Sequence, residues 1–401
     1  MNQRALKFLD QWTRTPGSPE SSPSQKLRVA VITANLGLAG AEKQAFYIAR
    51  ALAGAGVDVR VWNLARGGEY QDALRRLHIP AHWFGWLPGL PLRLLVLLAG
   101  LRRFRPHVIQ SVHAYTNIYS ALAGRILGAV SLGGLRSDLG SCFADNGRFS
   151  RYLLTWPDAI AVNSKKAQAQ VQQARLLDPG RLHFLPNAID LETFPERAPA
   201  AGRACTCIYV GRLFPFKRVD VFIRALAMAR ASDPSIRGIV AGYGPQEAAL
   251  QRLAAEAGLG GGSLTFLGFR DDVPQIIQQA SIFVFCSESE GTPNVILEAM
   301  AAGLPVITTP AGDAADVVQP AGAGYVVPFG DVEATARAML RLAKSPVLRA
   351  KLGRAGRSYV AHQRSTSELA ARLIGIYAGV ARTTTRRGGP DLLNRLSRCP
   401  E

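Results

Sequence analysis

Ser287-Glu-Ser-Glu-Gly-Thr-Pro-Asn-Val-Ile-Leu-Glu298 sets two carboxylates, Glu290 and Glu298, eight positions apart, with Gly291 directly after the first. A helix start is expected between them. Thr292 is suited to cap that helix, and Pro293 to its first position, where a missing N–H costs nothing. Glu290 then lies on the loop entering the helix and Glu298 within the second turn. The free N–H groups of the first turn form a natural anion site, favoured by the helix dipole. Carboxylates accept hydrogen bonds from sugar and ribose hydroxyls. One carboxylate at the mouth, an anion cradle and a second carboxylate behind it suit a sugar joined to a phosphorylated nucleoside. Such a spacing alone is more often a solvated loop and a helix-face glutamate, so the flanking segments decide.

Those flanks read as a strand–loop–helix–strand unit. Ser281-Ile-Phe-Val-Phe-Cys286 is a short continuous apolar run, as expected of a buried parallel strand. The helix from Asn294 to Ala302 ends at Gly303, and Leu304-Pro-Val-Ile-Thr308 reads as the next strand. The carboxylates therefore sit at the carboxyl end of a parallel strand, where open α/β sheets bind ligands.

Working outward, 401 residues with 48% hydrophobic content are enough for two packed α/β cores. Cysteines at 142, 205, 207, 286 and 399 are odd in number and scattered, which argues against a disulfide framework. Cys205-Thr-Cys207 lacks a second pair at zinc-ligand spacing and reads as structural. A reducing cytoplasm is the expected home. The Pro/Ser-rich start reads as a tail and not a signal peptide, and no run of apolar residues is long enough to span a membrane. Net charge is +18, carried mostly by arginine. Nucleic acid is not expected as a partner, since no nucleic-acid motif is present. An anionic membrane face or phosphorylated lipid fits the charge, and so does a genome that prefers arginine codons.

A coarse pass gives strands at Leu27–Thr33, Val57–Trp62, Val108–Val112 and Ala159–Asn163, the last expected to close the first sheet. Helices are read over Ala41–Ala53 and Leu92–Phe104. Pro186 to Pro199 is the candidate linker. A second unit starts near Ala204, and Glu368–Val380 reads as a late helix. Divided by residue, the expectation is a tail over 1–26, a first domain over 27–195, a second over 196–365, a helix over 366–382 and a basic tail over 383–401.

Several segments resemble, in order, those of the retaining GT-B glycosyltransferases of family 4 (group 1). Cys207-Ile-Tyr-Val-Gly-Arg-Leu-Phe-Pro-Phe-Lys217 is similar to the family's strand followed by G-R-L and a lysine. Leu185-Pro-Asn-Ala-Ile-Asp190 resembles its interdomain P-N-G-V-D segment, with Ala188 replacing glycine. Val240-Ala-Gly-Tyr-Gly-Pro245 resembles its G-x-G-P turn, and Glu290 to Pro310 its E-x7-E and G-x-P-V block. The implied architecture is two Rossmann-like doubly wound α/β domains facing across a cleft. The late helix is then expected to return onto the first domain.

The resemblance assigns roles. Arg212 and Lys217 match the two cations that neutralise charge building on the donor diphosphate as the sugar leaves. That chemistry can replace a metal, and no D-x-D of the metal-dependent type is seen, so neither metal nor cofactor is expected. Glu298 matches the ribose-binding glutamate, and Glu290 the carboxylate beside the transferred sugar. Gly291 would let the backbone approach the ligand, Asn294 and Val295 would offer amides to the phosphates, and Thr292 belongs to the same loop. Phe269 and Arg270 are candidates for contacts to the base. In the first domain, Gly37-Leu-Ala-Gly40-Ala-Glu42 resembles a G-G-A-E loop whose amides reach the diphosphate or acceptor, with Ala39 replacing the first glycine. Gly40 is its candidate contact. His113 falls where the family has a histidine near the donor sugar, and Arg136 resembles an arginine near the same cleft.

The implied reaction moves a sugar from a UDP-, GDP- or ADP-sugar to a hydroxyl of a glycan or lipid-linked acceptor, with retention, in cell-envelope polysaccharide or glycolipid synthesis. Trp83-Phe-Gly-Trp-Leu-Pro-Gly-Leu-Pro-Leu92, with Arg93, Arg102, Arg103 and Arg105 around the following helix, is a candidate for peripheral contact with the inner face of the cytoplasmic membrane. The alternatives are a non-catalytic nucleotide- or membrane-binding member of the fold and, on weaker grounds, a nucleotide-sugar epimerase.

Overall fold

A computed structural model describes residues 26–196 and 205–384. The expected tails and Cys399 fall wholly or almost wholly outside this range, as do Ala204 and the end of the candidate linker. The chain divides into two compact units, one running up to Ala188 and resuming at Thr366, the other Ile189–Ser365.

The first unit is built on seven parallel strands: β1 (Arg28–Thr33), β2 (Asp58–Asn63), β3 (Ala81–Trp83), β4 (Val108–Ser111), β5 (Val130–Leu135), β6 (Ala159–Val162) and β7 (Leu182–Phe184). Their order is β3-β2-β1-β4-β5-β6-β7. β1 and β6 are short, largely apolar runs, and β4 (Val-Ile-Gln-Ser) is buried along its whole length, as a sheet covered on both faces requires. Ile32, Trp62, Phe84, Leu97 and Leu101 fill one side of this core, and Leu135, Ile160, Val162 and Val171 fill another part of it. The expectation that the strand at Ala159 would be last is corrected, because β7 pairs beyond it through Ile160 and Leu182. β7 has only three residues, one of them His183, so it carries no apolar periodicity to read.

The late helix, Leu369–Thr383, belongs to this first unit. Its Tyr377 is fully buried and donates its hydroxyl to the side chain of Gln110 on β4.

The second unit carries six parallel strands: β8 (Thr206–Val210), β9 (Arg237–Ala241), β10 (Leu264–Gly268), β11 (Ile282–Phe285), β12 (Val306–Thr308) and β13 (Gly324–Val326). Their order is β10-β9-β8-β11-β12-β13. Cys207, Tyr209, Phe222, Leu226, Val240, Ile282 and Val284 sit at the centre of its core. Burying each large apolar side chain stabilises by about 1.5–3 kcal/mol. Both cysteines of the Cys205-Thr-Cys207 segment are buried free thiols. The unit closes on itself where the Ile189 N–H donates to the Arg364 carbonyl at 2.7 Å and Ile189 bridges to Ser365.

Each sheet reverses its winding once. In the first the reversal lies between β1 and β4, in the second between β8 and β11. The loops leaving the carboxyl ends of those strands diverge there, which is where doubly wound sheets bind ligands.

Candidate active site

At the reversal of the second sheet, the chain leaves β8 and tightens into a 3-10 turn, Pro215–Lys217. The Lys217 ammonium ion-pairs with Glu290 Oε1 on the loop after β11. It also lies 5.3 Å from the centre of the Phe216 ring and 5.6 Å from that of Phe285. Ser287 Oγ donates to the same Glu290 oxygen at 2.9 Å, and the Ser287 carbonyl accepts from Thr309 Oγ1 at 2.5 Å. The Glu288 N–H donates to the Phe216 carbonyl at 2.8 Å, tying the two loops together. The Glu290 carboxylate is therefore held by Lys217 and Ser287, whose own loop is tied down by Thr309 and Phe216. Arg212 is exposed, its guanidinium 5.1 Å from the Phe214 ring centre, with no carboxylate partner among the described residues.

The expected helix start is corrected in detail. Helix Asn294–Ala301 has Pro293 in the capping position, in extended backbone, and no side chain caps it. Thr292 Oγ1 instead lies 3.4 Å from Asp313 Oδ2. The proline ring holds φ near −69 but ψ is 114, so Pro293 stays outside the helix. Glu298 is buried in the second turn, while Asn294 and Val295 are half-buried in the first. The Glu290 loop rests on a second loop: the Asp313 N–H donates to the Gly291 carbonyl at 3.0 Å. Gly312 there has φ +56, and a Cβ on it would lie 1.8 Å from the Gly291 oxygen.

Farther along the same edge, Phe269 follows β10 and Tyr243 follows β9. Both are exposed and meet edge to face at 5.4 Å. Arg270 forms a two-pronged pair with Asp272, at 2.7 and 2.6 Å. Phe269 and Tyr243 together present an aromatic face at this edge, and Arg270 is held by Asp272.

At the reversal of the first sheet, His113 lies just beyond β4. Its Nδ1 accepts from the Ala34 N–H at 3.4 Å, and its Nε2 lies 3.2 Å from Glu42 Oε1. Gly40 and Glu42 belong to the first turn of helix Gly40–Gly54. Ala39, where the family pattern has glycine, has φ −97 and is exposed, so its methyl group is accommodated without strain. Burial pushes the Glu42 carboxyl up, but bonds from His113 and Asn35 outweigh it and hold the group below the usual range. Arg136, at the end of β5, donates to Asn187 Oδ1 at 2.8 Å. Its Nε is buried with no hydrogen-bond partner among the described residues. Burial draws its guanidinium down to about 10, against the opposing pull of Glu42.

Sequence reasoning assigned no role to Glu42, Tyr243, Ser287, Gly312 or Asp313. Glu42, Tyr243 and Ser287 stood inside quoted motifs. Nothing local distinguishes Gly312 or Asp313, whose contact with Gly291 joins separate loops.

Two family models match this chain: residues 38–193 match Glycosyltransferase Family 4, and residues 192–359 match Glycosyl transferases group 1. A GDP-mannose-dependent monoacylated alpha-(1-6)-phosphatidylinositol monomannoside mannosyltransferase of Corynebacterium glutamicum is 30% identical over 213 residues, covering 48% of this chain and 55% of that one. A D-inositol 3-phosphate glycosyltransferase of Saccharomonospora viridis is 30% identical over 222 residues, 50% and 51% of the two chains. The chain thus spans about half the length of these curated relatives. Among solved structures, Anabaena HepE in complex with UDP superposes with a TM-score of 0.76 at 20% identity, covering 90% of this chain and 100% of that one. That likeness establishes the fold. Because the two family matches together run without a break from residue 38 to 359, the chain belongs to the GT-B glycosyltransferases of family 4, group 1.

Proposed function

We propose that this protein transfers a sugar from a nucleotide-sugar donor to a hydroxyl of a glycan or lipid-linked acceptor, with retention of anomeric configuration. The ion pair of Lys217 with Glu290 at the reversal of the second sheet carries this reading. Beside it stand exposed Arg212, the first turn of helix Asn294–Ala301, which no N-cap side chain covers, and buried Glu298. A diphosphate takes the two cations and the helix amides, the ribose takes Glu298, and the sugar carbon lies beside Glu290. As the sugar–phosphate bond breaks, negative charge on the leaving oxygen is met by Arg212 and Lys217, which here do the work of a metal ion. The acceptor oxygen bonds to the same face of the sugar, and its proton passes to the departing phosphate oxygen. Glu290 forms no covalent bond in this scheme. It stabilises positive charge at the anomeric carbon.

The setting we propose is cell-envelope glycan or glycolipid synthesis from the cytoplasmic side, with peripheral contact to an anionic membrane. Supporting it, Trp86, Leu92 and Leu95 are exposed on and before helix Leu90–Phe104, while Arg102 and Arg103 are exposed near its end. Phe84, from the same aromatic stretch, is buried in the core and takes no part. Among the described residues no helix is long and apolar enough to cross a membrane.

The test is a thermal-shift screen against UDP, GDP, ADP and their sugar conjugates, with and without EDTA, followed by NMR of the product's anomeric configuration. A ligand at a hundred times its dissociation constant should add roughly 2.7 kcal/mol. A selective shift unchanged by EDTA, then a retained product, is the expected result. No shift from any nucleotide would overturn the donor assignment and favour a non-catalytic member of the fold.

A further inference from the structure

Arg218 holds a backbone conformation that suits glycine and strains a side chain: φ is 49 and ψ 46, in the left-handed region. Every other described residue of the second unit with positive φ is a glycine. The guanidinium is committed on three nitrogens. Nε and Nη2 donate to the two oxygens of Asp220, each at 3.0 Å, and Nη1 pairs with Glu288 Oε1 on the loop after β11. Asp220 lies in the first turn of helix Val219–Ser232, so the fork anchors Arg218 to that helix.

Glu288 therefore meets the Lys217 turn from both sides. Its N–H donates to the Phe216 carbonyl at 2.8 Å, and its carboxylate pairs with Arg218. Lys217 stands between those two contacts, and Glu290 follows Glu288 by two residues. Stability does not account for such a clamp. Arg218 and Glu288 are 31% and 45% exposed, and an ion pair so placed adds little. The left-handed residue subtracts from stability. Strain kept beside a functional pair points to geometry being held.

We infer that Arg218 is a positioning residue: clamped between Asp220 and Glu288, it fixes the spacing between Lys217 and Glu290. The helix anchors one end, the loop after β11 anchors the other, and Lys217 is carried between them. The inference rests on the sugar-transfer reading above, which gives Lys217 and Glu290 their roles, and adds the residue that keeps them in register.

Arg218→Gly separates this from a role in folding, because glycine relieves the left-handed strain as it removes the clamp. Glu288→Gln, which keeps the main-chain bond to Phe216, is the second variant. On the full chain, each should lower kcat for a nucleotide sugar roughly 10- to 100-fold, as a misplaced reacting group does. Nucleoside diphosphate should bind at least as tightly as to the wild type, since Lys217 is present and less committed to Glu290. The double variant should be no slower than the worse single one. Wild-type kcat in Arg218→Gly overturns the clamp. So do losses that multiply in the double variant, or diphosphate binding that weakens in step with kcat. A second readout needs no turnover: lysine acylation followed by peptide mass spectrometry. The Lys217 amine, released from Glu290, should react severalfold faster in both variants relative to the other lysines. Unchanged Lys217 reactivity overturns the positioning role. A wild type that turns over no nucleotide sugar, with that reactivity still raised in the variants, sinks sugar transfer and leaves the clamp standing.

Discussion

Lys217 and Glu290 are paired directly, so the cation assigned to the donor phosphate is already neutralised by the carboxylate assigned to the donor sugar. Both side chains are mostly shielded, with 12% and 16% exposed. Solvent therefore screens this pair less than it would an exposed one. On the proposed donor assignment, a bound diphosphate competes with Glu290 for Lys217. The resident pair thus opposes binding and at the same time holds both groups in register.

Glu290→Gln follows from that competition. Nucleoside diphosphate should bind about tenfold tighter, a gain of about 1.4 kcal/mol, because Lys217 is freed. Sugar transfer should fall by at least about 100-fold. Calorimetric titration set against turnover checks this, and weaker binding would show that the pair assists the phosphate. Lys217→Ala should weaken both.

Gly312 and Gly322 share φ +56, but only Gly312 presses on another backbone atom, the Gly291 oxygen. Alanine at 322 should cost about 1–2 kcal/mol for the left-handed conformation alone. Alanine at 312 should cost more than that, and should also weaken nucleotide binding by displacing the Glu290 loop. Urea unfolding of both variants with one nucleotide titration separates strain from collision. Equal costs would remove Gly312 as a support of the site.

His107, at the foot of β4, accepts from the Arg28 N–H at 3.1 Å on Nδ1. Burial first, and the Arg28 charge second, bring it from 6.5 down to about 4. The unfolded chain then binds a proton between those values that the folded chain refuses. Stability is full above pH 6.5 and is lost as pH falls toward 4, by about 3 kcal/mol for such a shift. Denaturant midpoints at several pH values in wild type and His107→Asn measure it; an identical acid slope in the variant would rule His107 out as the cause.

Trp86→Ser with Leu95→Ser removes exposed apolar area, so stability should change by less than about 0.5 kcal/mol. Binding to vesicles containing anionic lipid should drop several-fold, as flotation would show. Wild-type protein that stays in solution at low salt would remove the membrane contact altogether.

How far the sequence carried is clearest at the two reversals. The apolar run at β11 announced a parallel strand and that at β1 a buried one, and Arg212, Lys217, Glu290 and Glu298 stood in segments that resemble the family's site. β3 and β7 have three residues each, too few for any period to emerge. Thr292 misled because capping propensity is local, whereas its hydroxyl faces Asp313 on another loop. Glu42 escaped for a similar reason: its meaning comes from His113, which lies 71 residues away in sequence and 3.2 Å away in space.

The hydrogen bond from Tyr377 to Gln110 also orders events in time. A ribosome releases the whole seven-stranded sheet early, yet the helix that covers Gln110 emerges only after the entire second unit. At usual rates of synthesis the sheet waits on the order of ten seconds or more with that side chain uncovered. A nascent chain paused before residue 369 would hold a finished second unit beside an unfinished first one, and there a chaperone has its longest opportunity to bind.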